Sequence, residues 1–173
     1  MSSSRSKHRI LVVEDDRTSR KLLSRILEQD GYDVIECEEG RDALHFAEMN
    51  APRAMVIDIM LPDMKGHKIL EELESNKDCR FTKYIFLTGI LSKKDRSKKY
   101  FFQLNGKRYR ALPKPVSKSK LLKQLANCVN ASIEEEHAER RANSERSSLP
   151  PLKSLREQIE ETSEEEEEVV LAL

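Results

Sequence analysis

The sequence predicts an α/β fold: a doubly wound sheet of five parallel strands with helices on both faces, followed by a charged C-terminal tail. Three observations carry that prediction. Short apolar runs alternate with segments of helical period along residues 9–129. The connections are short, so parallel neighbours joined by right-handed crossovers are the natural topology. Isolated polar residues stand at the ends of the apolar runs, the edge where sheets of this kind bind ligands.

The elements follow in order. "RILVV" (9–13) reads as a buried strand. "TSRKLLSRILEQDG" follows as a helix, with Leu22, Leu23, Ile26 and Leu27 assigned to one face and Gly31 as its stop. "YDVIEC" (32–37) is a second strand, and Arg41–Met49 a helix with Ala43, Leu44 and Ala47 inward. "AMVID" (54–58) follows Pro52 as the third strand, and Ile69, Leu70 and Leu73 mark a helix starting near Gly66. "YIFLT" (84–88) is the fourth strand, Lys93–Leu104 is read as a helix, and "YRAL" (109–112) as a short fifth strand. Ser117–Val129 closes the series as a helix with Leu121, Leu122, Leu125 and Val129 inward.

Composition narrows the function classes. The chain has 173 residues, enough for one ordinary domain and an appendage, and 38% of them are apolar against 36% charged. No apolar run approaches the ~18 residues of a membrane span, so no membrane partner is expected. "MSSSRSKHR" is followed by only four apolar residues, too few for a signal peptide. Three cysteines at unrelated spacings, Cys37, Cys79 and Cys128, fit thiols in a reducing cytoplasm and indicate neither a disulfide frame nor a zinc site.

The net charge of zero hides an asymmetry. Residues 131–173 hold 13 acidic and 5 basic residues, net −8, whereas residues 1–130 carry net +8. Ser92–Lys120 alone has 11 Lys or Arg and one Asp. Such a run is commonly a solvated face, and it is also a candidate binding surface.

The strand ends carry the chemistry. "EDD" (Glu14, Asp15, Asp16) follows the first strand, Asp58 ends the third, Thr88 the fourth, and Lys114 lies between two prolines after the fifth. A carboxylate at the end of an apolar strand is costly unless something pairs with it. Acids from two neighbouring strand ends repel, and an oxygen-only donor set without His or Cys favours Mg²⁺. Lysine and threonine on the same rim suit a phosphoryl group, which makes Asp58 the candidate nucleophile of an aspartyl-phosphate. Taken singly, each of these residues has a structural explanation, such as a charge cluster at a helix N-terminus. Their order at successive strand ends favours a site.

With "ILVVEDD", "VIDIMLPDMKG", "FLTG" and "KPV" in place, segment 8–130 resembles the receiver domain of a two-component response regulator. The resemblance implies a flavodoxin-like strand order 2-1-3-4-5, and a division into an N-terminal arm (1–7), a receiver domain (8–130) and an acidic tail (131–173), partly helical or disordered. It implies Asp58 as phosphoacceptor. It further implies Mg²⁺ held by Asp15 and Asp58, by Glu14 through water, and by the backbone carbonyl of Met60. Thr88 and Lys114 would bind the phosphoryl oxygens, and Pro115 would follow a cis bond that aims the lysine. Asp16 falls outside the acidic pair and is expected to be exposed.

The implied activity is that of a single-domain signalling receiver, catalysing only its own phosphorylation and dephosphorylation. Its expected partners are a sensor histidine kinase or histidine phosphotransfer protein as donor, and an output protein on the basic 92–120 face, with no nucleic acid. Met60 and Ile90, two residues after Asp58 and Thr88, occupy positions that tune phosphoryl lifetime in the family, and their bulk implies slow hydrolysis.

Two departures stand out. The family's switch aromatic, three residues before the lysine, is here Ala111, with Tyr109 or Phe102 as candidate substitutes. The 26 positions from Thr88 to Lys114 exceed the family's usual spacing. Ala111 keeps open a receiver-like scaffold that is never phosphorylated, and the basic run keeps open a nucleic-acid binder. A haloacid-dehalogenase-like phosphatase would need an acid at Met60.

Overall fold

The computed structural model of the chain describes residues 8–89 and 100–148. Its elements are β1 (Arg9–Val13), α1 (Arg17–Gln29), β2 (Asp33–Cys37), α2 (Gly40–Asn50), β3 (Ala54–Asp58), α3 (Gly66–Leu73), β4 (Lys83–Thr88), β5 (Tyr100–Leu104), β6 (Lys107–Pro113) and α4 (Lys118–Ser148). Among the described residues the sheet has six strands in the order β2-β1-β3-β4-β6-β5. All neighbours are parallel except β5 and β6. The strand expected as the fifth is therefore β6, in its expected place beside β4, and the flavodoxin-like order holds with one antiparallel strand added at the edge.

The central strands are apolar throughout because both faces are covered. Along β1, Leu11 and Val13 pack on one side with Met55, Ile57 and Phe86, against Ala43 and Ala47 of α2 and Ile69, Leu70 and Leu73 of α3. Ile10 and Val12 point the other way with Val56, Ile85 and Leu87, against Leu23 and Leu27 of α1 and Leu121, Leu125 and Val129 of α4. Alternate residues thus feed two separate cores. All five residues of β3 are buried, Asp58 included.

Two expectations are corrected. Lys93–Leu104 was expected as a helix; residues 90–99 lie outside the described residues, and 100–104 form β5, hydrogen-bonded to β6. The physical reason is local. Asn105 and Gly106 both have positive φ, 48° and 74°, as a tight hairpin turn of the primed type demands, and "NG" between two strand-forming runs is its strongest sequence signal. Leu22, assigned to the inner face of α1, is 59% exposed, while Arg20 and Ser24 share the buried stripe with Leu23 and Leu27. The last helix runs past Val129 to Ser148, into the stretch 131–173 that was expected to be partly helical or disordered.

The chain divides into two compact units, Met1–Glu135 and Glu136–Leu173. Within the second, described to residue 148, Arg140 Nη2 donates to Glu136 Oε1 at 2.6 Å, one helical turn back. The acidic tail from residue 149 lies outside the described residues, as does the arm of residues 1–7. No helix among the described residues is long and apolar enough to cross a membrane.

Candidate functional site

Sheet register brings the strand ends level. Val13 pairs with Ile57, Asp58 with Leu87, and Thr88 with Pro113, so Glu14, Asp58, Thr88 and Lys114 emerge along one rim. The main chain continues the alignment past the strands. Glu14 N–H donates to Cys37 O at 3.1 Å, Ile59 N–H to Leu87 O at 3.0 Å, and Lys114 N–H to Thr88 O at 2.8 Å.

Asp58 is only 6% exposed, and both of its oxygens are answered. Oδ1 accepts the Met60 N–H at 3.0 Å, and Oδ2 takes the Lys114 ammonium. The same Nζ lies 2.5 Å from Glu14 Oε2, and Glu14 is 1% exposed. Burial pushes the Glu14 carboxyl above its ordinary range, with Lys114 drawing it part of the way back. Desolvation alone would lower the Lys114 ammonium, but the carboxylates of Asp58 and Glu14 outweigh it and hold that group above its usual value. Lys114 is therefore a fixed cation, and the Lys114–Pro115 bond is cis.

Asp15 is exposed, and one oxygen each from Glu14, Asp15 and Asp58 lie within 4.8 Å of one another. Three carboxylates share this rim with one lysine, so the site is short of positive charge. That deficit and the all-oxygen donor set fit a small divalent cation. Thr88, 5% exposed, closes the rim at the end of β4. Met60 is 45% exposed beside the site, its sulfur within 3.0 Å of Lys65 Nζ.

Two supporting residues make the geometry possible. A Cβ at Gly66 would strike the Asp58 carbonyl oxygen and come within 2.8 Å of Ile57 Cγ2, so glycine lets α3 start directly against the end of β3. Gly66 N–H donates to Ile59 O at 2.9 Å. Asp63, in the same loop, accepts from the N–H groups of Gly40 and Arg41 at 2.9 and 3.0 Å. It thereby caps α2 from a distance, where the helix's own N-cap residue, Glu39, makes no side-chain cap bond.

Sequence reading did not single out Asp63, and it missed Arg20, whose guanidinium holds the main chain of Glu14 and Asp15. The signal for Arg20 was helical period: positions 20, 23, 24 and 27 form the inward stripe of α1. Asp16 is exposed, as expected, and caps α1 by accepting from Ser19 N–H at 2.7 Å. Ala111 is buried opposite Phe86. Tyr109 packs edge-on against Tyr84 and Phe86, at ring separations of 6.4 and 6.2 Å. Register sets Tyr109 level with Tyr84, four residues before Thr88 and about 13 Å away along the strand. Phe102 sits opposite Tyr109. Neither stands beside Thr88, and Ile90 lies outside the described residues.

Comparison with known proteins agrees with this fold. The family model of the response regulator receiver domain matches residues 10–126, two thirds of the chain. The chain belongs to the response regulator receiver domain family. It is similar to the response regulator MprA of Mycolicibacterium vanbaalenii, 41% identical over 70 residues that make 40% of this chain and 30% of that protein. It is equally similar to the alkaline phosphatase synthesis transcriptional regulatory protein PhoP of Bacillus subtilis, 41% identical over 69 residues, 40% of this chain and 29% of that one. The match thus spans about a third of the length of these curated relatives.

Among solved structures, a CheY-like receiver domain protein from Methanospirillum hungatei matches with a TM-score of 0.64 at 29% identity, over 75% of this chain and 99% of that one. The receiver domain of the sensor histidine kinase PA1611 from Pseudomonas aeruginosa, solved with a magnesium ion in its active-site cleft, matches at 0.61 and 25% identity, over 72% and 99%. The receiver family works in two-component signalling, and this chain carries its acidic pocket.

Proposed function

We propose that this receiver accepts a phosphoryl group on Asp58 from the phosphohistidine of a sensor kinase or phosphotransfer protein. The observation that carries this reading is the convergence of Glu14, Asp15 and Asp58 with Lys114 at one rim. A carboxylate oxygen of Asp58 attacks phosphorus, the P–N bond of the donor breaks, and its electron pair returns to the imidazole nitrogen. The product is an acyl phosphate. The Met60 N–H and the Lys114 ammonium orient the Asp58 carboxylate for that attack. Lys114, paired with Asp58 and Glu14 before transfer, would turn its ammonium to the transferred oxygens, and the Thr88 hydroxyl would donate to them.

Asp15, Asp58 and the Met60 carbonyl are the residues that would hold Mg²⁺, with Glu14 acting through water. The cation supplies neutralisation of the phosphoryl oxygens. An apolar Met60 offers no side-chain hydrogen bond to an attacking water, which supports a long-lived acyl phosphate. Met60→Asn should shorten its lifetime. The basic stretch of the β5–β6 hairpin, Lys107, Arg108 and Arg110, lies on the surface assigned to an acidic output protein, and the cell compartment is the cytoplasm.

Intact-mass analysis after incubation with acetyl phosphate and MgCl₂ tests the reading. The wild type should gain one phosphoryl group and Asp58→Asn none, because an amide is no nucleophile here. Labelling that persists in Asp58→Asn at another residue would overturn the assignment. The haloacid-dehalogenase-like alternative loses support at Met60, where that chemistry needs an acid.

A further inference from the structure

Arg20 is 8% exposed on α1, an unusual place for a guanidinium. Nη1 donates to Glu14 O at 2.5 Å and Asp15 O at 3.1 Å, and Nη2 donates to Glu38 Oε2 at 3.0 Å. Nε lies 3.8 Å from Glu36 Oε2, which Lys21 Nζ also reaches at 2.9 Å. A buried cation is tolerated only when it is paired and hydrogen-bonded, and here two carbonyls and the Glu38 carboxylate accept from it while Glu36 balances its charge. The direction of these bonds matters. Arg20 binds the carbonyls of the acidic pair, not their carboxylates, which leaves the side chains of Glu14 and Asp15 to the rim.

We propose that Arg20 is a positioning residue for the divalent-cation site, acting through the main chain of Glu14 and Asp15 and held in turn by Glu38. The inference rests on the phosphoacceptor reading of that rim. One nitrogen bridging two successive carbonyls fixes the two peptide planes that flank Asp15, and so the directions in which the side chains of Glu14 and Asp15 leave the main chain. A guanidinium can do this while a second nitrogen holds Glu38, because its donors are rigidly coplanar. A lysine supplies the same charge from a single flexible point. Charge and positioning therefore separate experimentally.

The test is a MgCl₂ titration of the full chain, followed by amide NMR shifts at Glu14–Asp16 and Asp58. Arg20→Met and Arg20→Lys should both weaken Mg²⁺ binding about tenfold or more, the usual effect of removing a group that orients a metal ligand. Saturating Mg²⁺ should restore the rate of labelling by acetyl phosphate in both, which damage to the fold would not allow. Glu38 is 64% exposed, so Glu38→Gln leaves folding intact and should weaken binding by about threefold. In the Arg20→Met background Glu38→Gln should add nothing.

Wild-type affinity in Arg20→Lys would overturn the proposal, since charge alone would then suffice. An additive effect of Glu38→Gln in the double variant would overturn it equally. If Arg20→Met does not fold, Arg20→Lys and Glu38→Gln still decide the matter. A wild-type chain that binds no Mg²⁺ is a different failure: it overturns the phosphoacceptor reading itself.

Discussion

The rim at the ends of β1, β3 and β4 and the hairpin of β5 and β6 belong to one sheet, yet glycine means different things in each. At Gly66 the chain needs space: a Cβ would collide with the backbone of Asp58. At Gly106 nothing lies within 4 Å of where a Cβ would be, and the requirement is φ of +74°. The first region is defined by long-range packing of buried strands and the second by the local geometry of a turn. Lys114 links them, because the strand that carries it to the rim begins at the hairpin.

Substitution at the two glycines should expose that difference. Gly66→Ala forces backbone apart beside Asp58, and a loss of about 3 kcal/mol is expected in urea unfolding, as for other overpacked sites. Labelling of Asp58 by acetyl phosphate should fall with it, even where the variant is folded. Gly106→Ala meets no neighbour and pays only for a left-handed conformation, roughly 1–2 kcal/mol. Its labelling rate should match the wild type. A Gly106→Ala chain that folds but labels slowly would show that the hairpin sets the position of Lys114, and the contrast between the regions would fail.

The same contrast explains what could be read from the sequence. The five parallel strands were legible, the central ones most plainly, because a strand buried on both faces writes a continuous apolar run, as "RILVV" and "AMVID" do. Glu14, Asp15, Asp58, Thr88 and Lys114 were legible as polar residues ending those runs, and register then sets them side by side. The hairpin was misread because strand–helix alternation argued for a helix before the next parallel strand. The local evidence in "YFFQLNGKRYRAL" pointed the other way, with aromatic residues flanking Asn-Gly. Arg20 and Asp63 stayed hidden for another reason. Asp63 acts on the main chain of a different element and Arg20 on the loop that leads into its own helix, and both partnerships exist only after folding.

The smallest expected effects concern two carboxylates, one in each region. Asp63 accepts two α2 N–H groups, and Glu74 at the end of α3 accepts from Asn105 Nδ2 at 2.6 Å and Lys107 Nζ at 3.0 Å, fastening α3 to the hairpin turn. For Asp63, desolvation is the largest single influence and raises the carboxyl, but backbone donors, those of Gly40 and Arg41 foremost, together outweigh it and hold the group below 3.8. For Glu74, the bonds from Asn105 and Lys107 hold the carboxyl below 4.5. A depressed folded value means that each group stabilises the fold above its unfolded value, and that this contribution disappears as pH falls through the folded value. Asp63→Ala should therefore cost about 1 kcal/mol at pH 7, as loss of a helix cap does, and the difference from wild type should close below pH 3.8. Glu74→Gln should cost less at pH 7 and close below pH 4.5. Salt separates the two. The Glu74–Lys107 pair is an exposed ion pair and should be screened out by about 1 M NaCl, whereas the Asp63 cap, bonded to oriented backbone donors, should keep most of its effect. Urea unfolding of both variants at low and high salt reads this directly. Equal salt sensitivity would mean that Asp63 acts as a surface charge and not as the cap of α2.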